Sequence, residues 1–513
     1  MLYEKKDYLE VRSKYNEDSI EIKLGNKRYR ISYPENIWRP LDEEVKKALV
    51  DHAAFMSTNY LPLVLGKKGI IYNTRLPMFD CFSFKSMMYD LPSSAVLDGR
   101  RMDDYVKSYF NLDFVFADEE PVVFGTAFEP GETAVISFTS GKESLLTLAM
   151  CRELGIEPIL INIVEPSNTH EHEHKMRILR GLNREFGIEY YSVPHEPGLF
   201  HDAKWMKARD TSLGWGNQLM YYLFLYLPFI FHHRARYLFY GNEFSCDKES
   251  SNSEGFRANF CYDQSTHWTT QMDVIMRTLT RGSTKVGSLV GPLNEIAVIK
   301  VLHDGFPELA KYQMSCFCED PVTELYRWCC NCSKCARNYA FIKANGGNVE
   351  DVGFWRDMFS DECSSLFSAL GGEETYGFDR SGLGREEQEL ALFLASMSMP
   401  ENEFLQGFAS KSIFNNVHSG EQPSSRFDEA YNHYLTPQYY RAIPEELRKR
   451  VYAIYNSLLL NKPRDLVIEQ YIHDDGVDAE KKEGIRVQVN SISGSPSRYS
   501  ADVSPRDPVV EPV

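Results

Sequence analysis

The pattern of apolar and polar positions changes along the chain, and its first region mixes strand-like and helical segments. Residues 20–24 alternate with period two, reach a turn at Gly25-Asn26 and resume at Tyr29, which predicts a hairpin. A helix is predicted near 42–58, because acidic residues fill its first turn. These segments predict an α+β N-terminal domain over residues 1–130.

From residue 131 the pattern becomes a regular alternation of strands and helices. The predicted strands are 133–139, 159–164, 188–193 and 237–240, and the predicted helices are 142–154, 170–186 and 217–235. Such an alternation predicts an α/β domain with a parallel sheet covered on both faces. Ligands of these sheets bind at the carboxyl ends of the strands. The segments 139–144 and 241–243 are both expected at such an end.

The chain becomes mainly helical beyond residue 350. Helices are predicted at 384–397, 402–410 and 443–461, within a helical C-terminal region over 351–473. Residues 474–513 are polar and rich in serine, proline and charge, which predicts a disordered tail.

Composition narrows the class of protein. The 513 residues are 43% hydrophobic and 25% charged, as in folded soluble proteins with several cores. The net charge of −17 argues against a nucleic-acid partner, because binding to phosphate backbones needs a cationic surface. The chain does not open on an apolar leader, and its longest apolar run, 219–231, is too short to cross a bilayer. We therefore expect no membrane partner and a cytoplasmic location.

The segment Thr-Ser-Gly-Lys-Glu-Ser at 139–144 follows a buried-strand pattern and opens a helix. Backbone N–H groups and the helix dipole at such a junction favour an anion. A Walker A loop would require glycine at Ile136 and serine or threonine at Glu143. A dinucleotide fingerprint would require three spaced glycines, and only Gly141 is present. The segment therefore predicts a phosphate-binding loop of another kind.

The residue types in this loop suit a nucleotide. Gly141 lets the backbone approach a phosphate closely, and Ser140 and Ser144 offer hydroxyl donors. Lys142 can place a positive charge near a triphosphate.

Cysteine usage indicates a metal site. Six of the eleven cysteines fall between 316 and 335, in a large chain that does not resemble a secreted disulfide scaffold. The predicted ligands, a C-x-x-C-x-x-C triplet with one cysteine thirteen residues upstream, are Cys316, Cys329, Cys332 and Cys335. Four thiolates suit a closed, structural, tetrahedral Zn²⁺ site. Cys318 and Cys330 lie close enough in sequence to replace a neighbouring ligand.

Two family resemblances follow from these motifs. The loop resembles the Ser-Gly-Gly-Lys-Asp-Ser loop of PP-loop, or N-type, ATP pyrophosphatases. Together with the cysteine triplet it resembles the 7-cyano-7-deazaguanine synthases (QueC-like). A closer resemblance is to the MurL-like family, ATP-dependent epimerases of the terminal glutamate of UDP-N-acetylmuramoyl-L-alanyl-L-glutamate. The segments that carry it are 139–144, 241–243, 291–297, 315–316 and 327–335, within roughly 130–345.

The resemblance implies a PP-loop (HUP-like) ATPase domain over 131–350 that cleaves ATP to AMP and pyrophosphate by adenylating a small carboxylate substrate. ATP and Mg²⁺ would be bound, with Glu143 in the place of a magnesium-binding aspartate. The implied nucleotide-binding residues are Thr139, Ser140, Gly141, Lys142, Glu143, Ser144 and Asn242. The implied catalytic residues are Lys142, Glu143 and Glu243. Because Glu243 and Asp247 follow the same predicted strand end, one of them is expected to contact a ligand or a metal.

Three functional hypotheses stay open at this stage. The first is a MurL-like epimerase of a glutamyl peptide precursor, and the second is QueC-like amidation or conjugation of a deazapurine or other carboxylate. The third is a degenerate PP-loop that serves as a binding or defence-system subunit without turnover. Departures from the family pattern occur at Thr139, Ser140 and Glu143, and at Cys330 and Ser333, where MurL-like chains have glycine and proline.

A run of three histidines, His170, His172 and His174, is a weaker candidate for metal binding. A spacing of two does not place side chains on one helix face, so the run predicts a solvated helix start.

Overall fold

The computed structural model describes residues 7–166, 169–251, 254–372, 374–375, 377–414 and 425–460. These residues belong to one compact unit, Met1–Ile468. The tail predicted at 474–513 and the end of the C-terminal region predicted at 351–473 lie outside the described residues.

Strands and helices of the described residues are numbered here in chain order. The strands are β1 (Tyr8–Tyr15), β2 (Ser19–Leu24), β3 (Lys27–Ser32), β4 (Gly69–Tyr72), β5 (Asp113–Val115), β6 (Gly131–Ser137), β7 (Glu157–Val164), β8 (Glu189–Pro194), β9 (Ala235–Phe239), β10 (Ser250–Ser251), β11 (Arg257–Ala258) and β12 (Lys285–Gly287). The helices are α1 (Glu35–Trp38), α2 (Glu43–Met56), α3 (Leu61–Leu65), α4 (Asp80–Leu97), α5 (Met102–Phe110), α6 (Lys142–Glu153), α7 (Thr169–Phe186), α8 (Ala203–Met206), α9 (Gln218–His233), α10 (Thr266–Leu279), α11 (Glu295–Gly305), α12 (Pro307–Ala310), α13 (Ser333–Ala344), α14 (Gly377–Ser381), α15 (Arg385–Ser398), α16 (Glu403–Ala409), α17 (Ser425–Leu435) and α18 (Glu445–Leu459).

A five-stranded sheet forms the centre of the molecule, with the strand order β12-β9-β6-β7-β8. Every pair of neighbours in it is parallel, and Ile136 of β6 lies between Leu160 of β7 and Phe239 of β9. This arrangement confirms the parallel sheet that the alternating pattern predicts. Because the strands are parallel, the segments that follow β6, β7, β8 and β9 meet at one edge.

Helices cover both faces of this sheet. The apolar helix α9 packs on one face, where its residues share a core with Val135, Ile159 and Leu238. Helix α6 packs on β6 and β7, and α11 packs on α6. Glycines with positive φ end two of the helices where the sequence predicts it, at Gly155 (φ +71°) and Gly187 (φ +69°).

A second five-stranded sheet, of the order β3-β2-β1-β4-β5, is built from the N-terminal residues. The predicted hairpin is confirmed, since β2 and β3 pair antiparallel with Ile20 opposite Ile31. Strand β4 pairs parallel with both β1 and β5, which makes the sheet mixed. Helix α2 packs on β1 and on α9, so the two sheets share one apolar core.

The C-terminal region is helical, as predicted. Helix α15 packs on α13 and α16, while α17 and α18 both pack on α11. The α11 helix thereby connects the parallel sheet to the C-terminal helices. In the part of the chain that the structure describes, no helix is both long and apolar enough to cross a membrane.

Candidate functional site

The predicted loop lies where the sequence places it, between the end of β6 at Ser137 and the start of α6 at Lys142. Ser140 has a φ of +64°, in the left-handed region, which costs a residue with a Cβ about 1 kcal/mol. Its carbonyl oxygen accepts a 2.9 Å hydrogen bond from the Met314 amide. Its hydroxyl is buried, with no hydrogen-bond partner among the residues described. An unused donor thus lies beside the first-turn amides of α6, whose N–H groups have no partner within the helix.

The loop and the end of β9 are in direct contact. A Cβ built on Gly241 would lie 2.7 Å from the Cβ of Glu143, which is closer than real Cβ atoms approach. Glycine is therefore required at position 241, and it brings the predicted residues Asn242 and Glu243 beside the loop. The Asn242 amide nitrogen donates a 3.0 Å hydrogen bond to the hydroxyl of Thr269, which fixes its orientation.

Lys142 is buried, with only 2% of its surface exposed. Its Nζ donates to the Glu143 carboxylate and, at 2.6 Å, to Oε1 of Glu295. Burial alone would lower the pKa of Lys142, but the charges of these two carboxylates outweigh it and raise the pKa above its usual range. The lysine is therefore charged, and two acidic side chains of the protein neutralise it.

Arg337 of α13 extends this network of buried charges. Its Nε lies 3.4 Å from Oε1 of Glu295, and its Nη1 lies 3.1 Å from Oδ1 of Asp379. Burial alone would raise the pKa of Glu295, but the charges of Arg337 and Lys142 outweigh burial and hold that pKa below its ordinary value. Glu295 is thus an ionised carboxylate between two buried cations.

Glu243 lies beside this network, but its pKa is raised, whereas the pKa of Glu295 is lowered. Its Oε2 accepts a 2.7 Å hydrogen bond from the Ser245 amide, and its Oε1 lies 3.3 Å from the sulfur of Cys246. Burial, together with the charges of Glu295 and Glu387, raises the pKa of Glu243 to about 8. A bound cation would favour its ionised form.

Glu387, on α15, brings the C-terminal region to this edge of the sheet. Its carboxylate accepts hydrogen bonds from the Ile296 amide at 2.8 Å and from the Ser245 hydroxyl at 3.0 Å. Burial and the charge of Glu295 raise the pKa of Glu387. This carboxylate therefore fixes the segments that carry Glu243 and Glu295.

A cavity of about 310 Å³ opens beside the loop, and we call it the loop cavity. Six of the predicted site residues line it: Thr139, Lys142, Glu143, Ser144, Asn242 and Glu243. Ser140 and Gly141 belong to the same loop without lining the cavity wall. The structure thus brings together the segments 139–144 and 241–243, although nearly a hundred residues separate them in sequence.

A larger cavity of about 840 Å³, the outer cavity, adjoins the loop cavity. The residues that line both cavities are Leu219, Cys261, Gln264, Lys334 and Arg337. Six residues between Asp90 and Gly99 line the outer cavity from the N-terminal region, and Asp379 and Arg380 line it from the C-terminal region. Asp90 orders part of this wall, because its carboxylate accepts 3.0 Å hydrogen bonds from the Gly214 and Gly216 amides.

The predicted metal ligands form a second, compact site. The buried sulfurs of the four predicted cysteines, Cys316, Cys329, Cys332 and Cys335, lie within 4.8 Å of one another, and the group can hold a metal ion. The sulfurs of Cys329 and Cys335 are 3.7 Å apart, close to the roughly 3.8 Å edge of a tetrahedron with 2.3 Å Zn–S bonds. The donor set and its spacing therefore fit zinc.

The two alternative cysteines do not belong to this group of sulfurs. Cys318 and Cys330 have positive φ angles of +55° and +53°, so each lies at a sharp turn of the backbone. The amide of Cys318 donates to the sulfur of Cys316 at 3.3 Å, and the amide of Asn331 donates to the sulfur of Cys329 at 3.3 Å. These turns thus supply amide donors to the ligand sulfurs, as outer-shell groups do in metal sites.

Two other predictions have different outcomes. Asp247 does not line the loop cavity; its carboxylate accepts a 2.6 Å hydrogen bond from the Thr266 amide at the start of α10. The histidine run belongs to α7, but His174 is buried rather than solvated, and its Nε2 lies 2.7 Å from the carbonyl oxygen of Thr323. That prediction was wrong for His174 because the turn around Thr323, between the predicted metal ligands, covers this face of α7.

No family model matches this chain, and no curated protein matches it.

Sequence reasoning did not select several residues that the structure places at the site. Glu295 opens the apolar helix α11 and belongs to the segment 291–297, one of those that carry the family resemblance in the sequence. Lys334 lies between two predicted metal ligands, and a single lysine there gives no separate signal in the sequence. Arg337 and Glu387 carry no local signal, since their partners lie far away in sequence.

Proposed function

We propose that this chain is an ATP pyrophosphatase that adenylates a carboxylate substrate and forms AMP and pyrophosphate. The observation that carries the proposal is the loop cavity. It combines a strand-to-helix loop, Lys142 and the Asn242-Glu243 segment at the carboxyl edge of a parallel sheet. Phosphates bind at helix N-termini, and α/β sheets bind their ligands at this edge.

The donor set beside the loop also fits magnesium. Glu143 is partly exposed and Glu243 lines the same cavity, and Mg²⁺ is usually bound by one or two carboxylates together with phosphate oxygens. Apart from the four cysteines, no group of three or more His, Cys, Asp or Glu side chains that could hold a metal ion is found among the described residues. We infer that Mg²⁺ is carried mainly by the ATP phosphates and contacts Glu143 and Glu243. When bound, the ion would neutralise charge that develops on the phosphates.

The reaction requires that a substrate carboxylate oxygen attack the α-phosphorus of ATP. The bond from that phosphorus to the α–β bridging oxygen breaks, and pyrophosphate leaves with the electron pair. The chain's residues act by position and charge. The α6 amides and the loop hydroxyls bind phosphate oxygens, and Lys142 keeps Glu143 and Glu295 in place. Preorganised donors of this kind stabilise charge in phosphoryl transfer.

The fate of the acyl-adenylate separates the two enzymatic hypotheses. In MurL-like epimerisation, a base removes and returns the Cα proton, and water then hydrolyses the acyl-adenylate to the free carboxylate and AMP. In QueC-like chemistry, ammonia or an amine attacks the acyl carbon, and the bond from that carbon to the phosphate oxygen breaks so that AMP leaves with the electron pair. Incubation with ATP and UDP-N-acetylmuramoyl-L-alanyl-L-glutamate in deuterated water tests the first. Absence of both AMP and Cα deuterium would exclude it, and a product of changed mass from another carboxylate would support the second.

The first step itself is tested by pyrophosphate release and AMP formation from ATP–Mg²⁺ across a panel of carboxylates. We expect Lys142→Met to lose this activity, since removal of the cation frees two carboxylates beside the loop. Lys300→Met is the matched control, because Lys300 pairs with Asp304 on a partly exposed side of α11. A wild-type protein that binds ATP but releases no pyrophosphate with any carboxylate would refute adenylation.

One observation favours a second candidate, a nucleotide-binding subunit without turnover. Lys142 is held by Glu143 and Glu295 rather than free to reach a phosphate. Under this hypothesis ATP binds at the loop and survives intact. Equilibrium binding of ATP followed by recovery of unhydrolysed nucleotide separates the two functions, because only the enzyme converts ATP to AMP.

A further inference from the structure

We propose that Lys334 binds the carboxylate of the second substrate where the loop cavity meets the outer cavity, and that the outer cavity takes a substrate body without phosphate groups. This inference rests on the proposed function, since it names the class of carboxylate that the loop cavity would adenylate. It concerns the residues between and beyond the two cavities rather than the nucleotide loop.

Lys334 has the right position for this role. It lies in the first turn of α13 and is one of the two cations that line both cavities. A carboxylate that attacks an α-phosphate must lie between the ATP site and the site of its own body. The junction of the loop cavity with the outer cavity is therefore where such a group would be bound.

The charge of Lys334 is also available. In the described part of the chain no carboxylate forms an ion pair with it, and its Nζ lies 4.3 Å from the ring centroid of Phe317. The other two cations of the loop cavity are engaged, since Lys142 pairs with Glu143 and Glu295, and Arg337 pairs with Glu295 and Asp379. A cation held on an aromatic face keeps its hydrogen-bond donors for a ligand.

The cysteine group fixes the backbone of this lysine. Cys332 precedes α13 directly and Cys335 follows Lys334, so two of the four sulfurs belong to its close neighbours in sequence. Phe317, whose ring lies against the Nζ of Lys334, directly follows Cys316, one of the predicted metal ligands. The metal group therefore positions both the lysine and its aromatic support, as a rigid scaffold positions a binding residue.

The lining of the outer cavity away from the junction has the opposite charge. Its acidic residues are Asp90, Asp98, Asp210, Asp263, Glu319 and Asp379. Burial raises the pKa of Asp263 to about 7, and Asp379 pairs with Arg337, so the negative charge comes mainly from the other four. Besides the two junction cations, Arg380 is the one further cation among the described residues that line it. Like charges in a shared site repel each other, so a body with phosphates is disfavoured there. Aromatic rings of Trp215, Phe260 and Tyr262 offer contact surface to a neutral or cationic body instead.

The test uses the full-length protein as wild type, Lys334→Met, Lys334→Arg and the control Lys343→Met, which alters the last turn of α13 outside both cavities. Calorimetry measures binding of α,β-methylene-ATP with Mg²⁺, and then of two carboxylates in its presence. The probes are 7-carboxy-7-deazaguanine, which has no phosphate, and UDP-N-acetylmuramoyl-L-alanyl-L-glutamate, which has two. Metal content and circular dichroism confirm folding of each variant, and Lys334→Gln replaces any Met variant that does not fold.

We expect Lys334→Met to weaken binding of the phosphate-free carboxylate about 30-fold, the factor typical of a lost charge-assisted hydrogen bond. Lys334→Arg should lose less, and the affinity for the ATP analogue should stay within threefold in all variants. The wild type should bind the diphosphate probe at least tenfold more weakly than the phosphate-free probe.

The inference is overturned if Lys334→Met binds the carboxylate like the wild type, if it loses the ATP analogue to the same degree, if the diphosphate probe binds more tightly, or if neither probe binds the wild type. These binding readouts are independent of turnover. The expected binding pattern without pyrophosphate release would support Lys334 and refute adenylation, whereas pyrophosphate release with unchanged binding by Lys334→Met would do the reverse.

Discussion

Replacement of Glu295 by glutamine tests the buried charge network most directly. The change keeps the shape of the side chain and removes one negative charge. Glu295 is 4% exposed, and its Oε1 lies 2.6 Å from Nζ of Lys142 and 3.4 Å from Nε of Arg337. The variant therefore leaves two buried cations short of one carboxylate.

The size of the effect follows from what each cation keeps. Breaking a buried ion pair by removing one partner costs about 3–5 kcal/mol. Lys142 still contacts Glu143, and Arg337 still contacts Asp379 at 3.1 Å, so each cation retains one acidic partner. We therefore expect Glu295→Gln to lower the free energy of unfolding by about 3 kcal/mol, at the lower end of that range. The matched control Glu143→Gln removes a carboxylate that is 23% exposed, and it should cost about 1 kcal/mol because water can replace part of the contact.

The pH dependence has a definite sign. The folded-state pKa of Glu295 is lowered, with its two cationic neighbours outweighing burial. A carboxyl group with a lowered folded pKa stabilises the protein above its unfolded pKa of about 4.3, and this contribution is lost as pH falls through the folded value. The difference between wild type and Glu295→Gln should thus be full at pH 7 and shrink below about pH 4.3.

Urea unfolding followed by tryptophan fluorescence and far-ultraviolet circular dichroism measures this difference, with coincident transitions as the check for two-state behaviour. A Glu295→Gln protein within about 0.5 kcal/mol of wild type at neutral pH would refute the network as a stabilising element, since changes that small are typical of surface sites. If both variants lost the same free energy of unfolding, the burial of Glu295 would add nothing to the stability that its ion pairs provide.

Two further predictions concern the metal group and the loop. Elemental analysis should find about one zinc per chain. The Cys332→Ser variant should lose the metal and become insoluble, because structural zinc contributes directly to folding. The control Cys330→Ser, which changes a cysteine outside the group of four, should keep the metal. A soluble, active, zinc-free Cys332→Ser protein would contradict this assignment. Gly241→Ala should weaken ATP binding and lower the melting temperature, because its Cβ would lie 2.7 Å from that of Glu143 and overpacking costs about 1–3 kcal/mol. The control Gly131→Ala meets only an ordinary 3.4 Å contact at the other end of β6, and equal behaviour of the two variants would show that the close approach does not matter.

The central sheet was predictable because its signals are local. Apolar runs bounded by glycine and proline mark its strands, and Gly155 and Gly187 end the helices between them. The observed strand Glu189–Pro194 lies within one residue of its predicted bounds. Strand β12 was missed, since three residues at the edge of the sheet carry no periodic pattern. The parallel pairing of β1 with β4 was also outside prediction, because it joins strands separated by a hairpin and three helices.

The candidate site also contains residues that a local sequence signal predicts and residues that no local signal predicts. The spacing of the cysteines restricts where their sulfurs can lie, so the grouping of the four cysteines that can hold a metal ion could be predicted from sequence. The loop could be predicted from the junction of strand and helix. Glu387 and Arg337 could not, because their importance comes from partners on other elements. Charge complementarity between distant residues leaves no periodic trace in a single sequence.

The contacts of Glu387 have a consequence for how the protein is made. The Ile296 amide and the Ser245 hydroxyl both donate to this carboxylate, so a chain still attached to the ribosome lacks their acceptor until residue 387 has emerged. Because synthesis adds roughly 5–20 residues per second, residue 387 is added many seconds after strand β6 has been synthesised. A fragment that ends near residue 350 would lack the same contacts permanently, and its Arg337 would also lack the partner Asp379. The loop at 139–144 is thus among the first parts of the parallel sheet to be synthesised, while Glu387 and Asp379, which complete its surroundings, are translated much later.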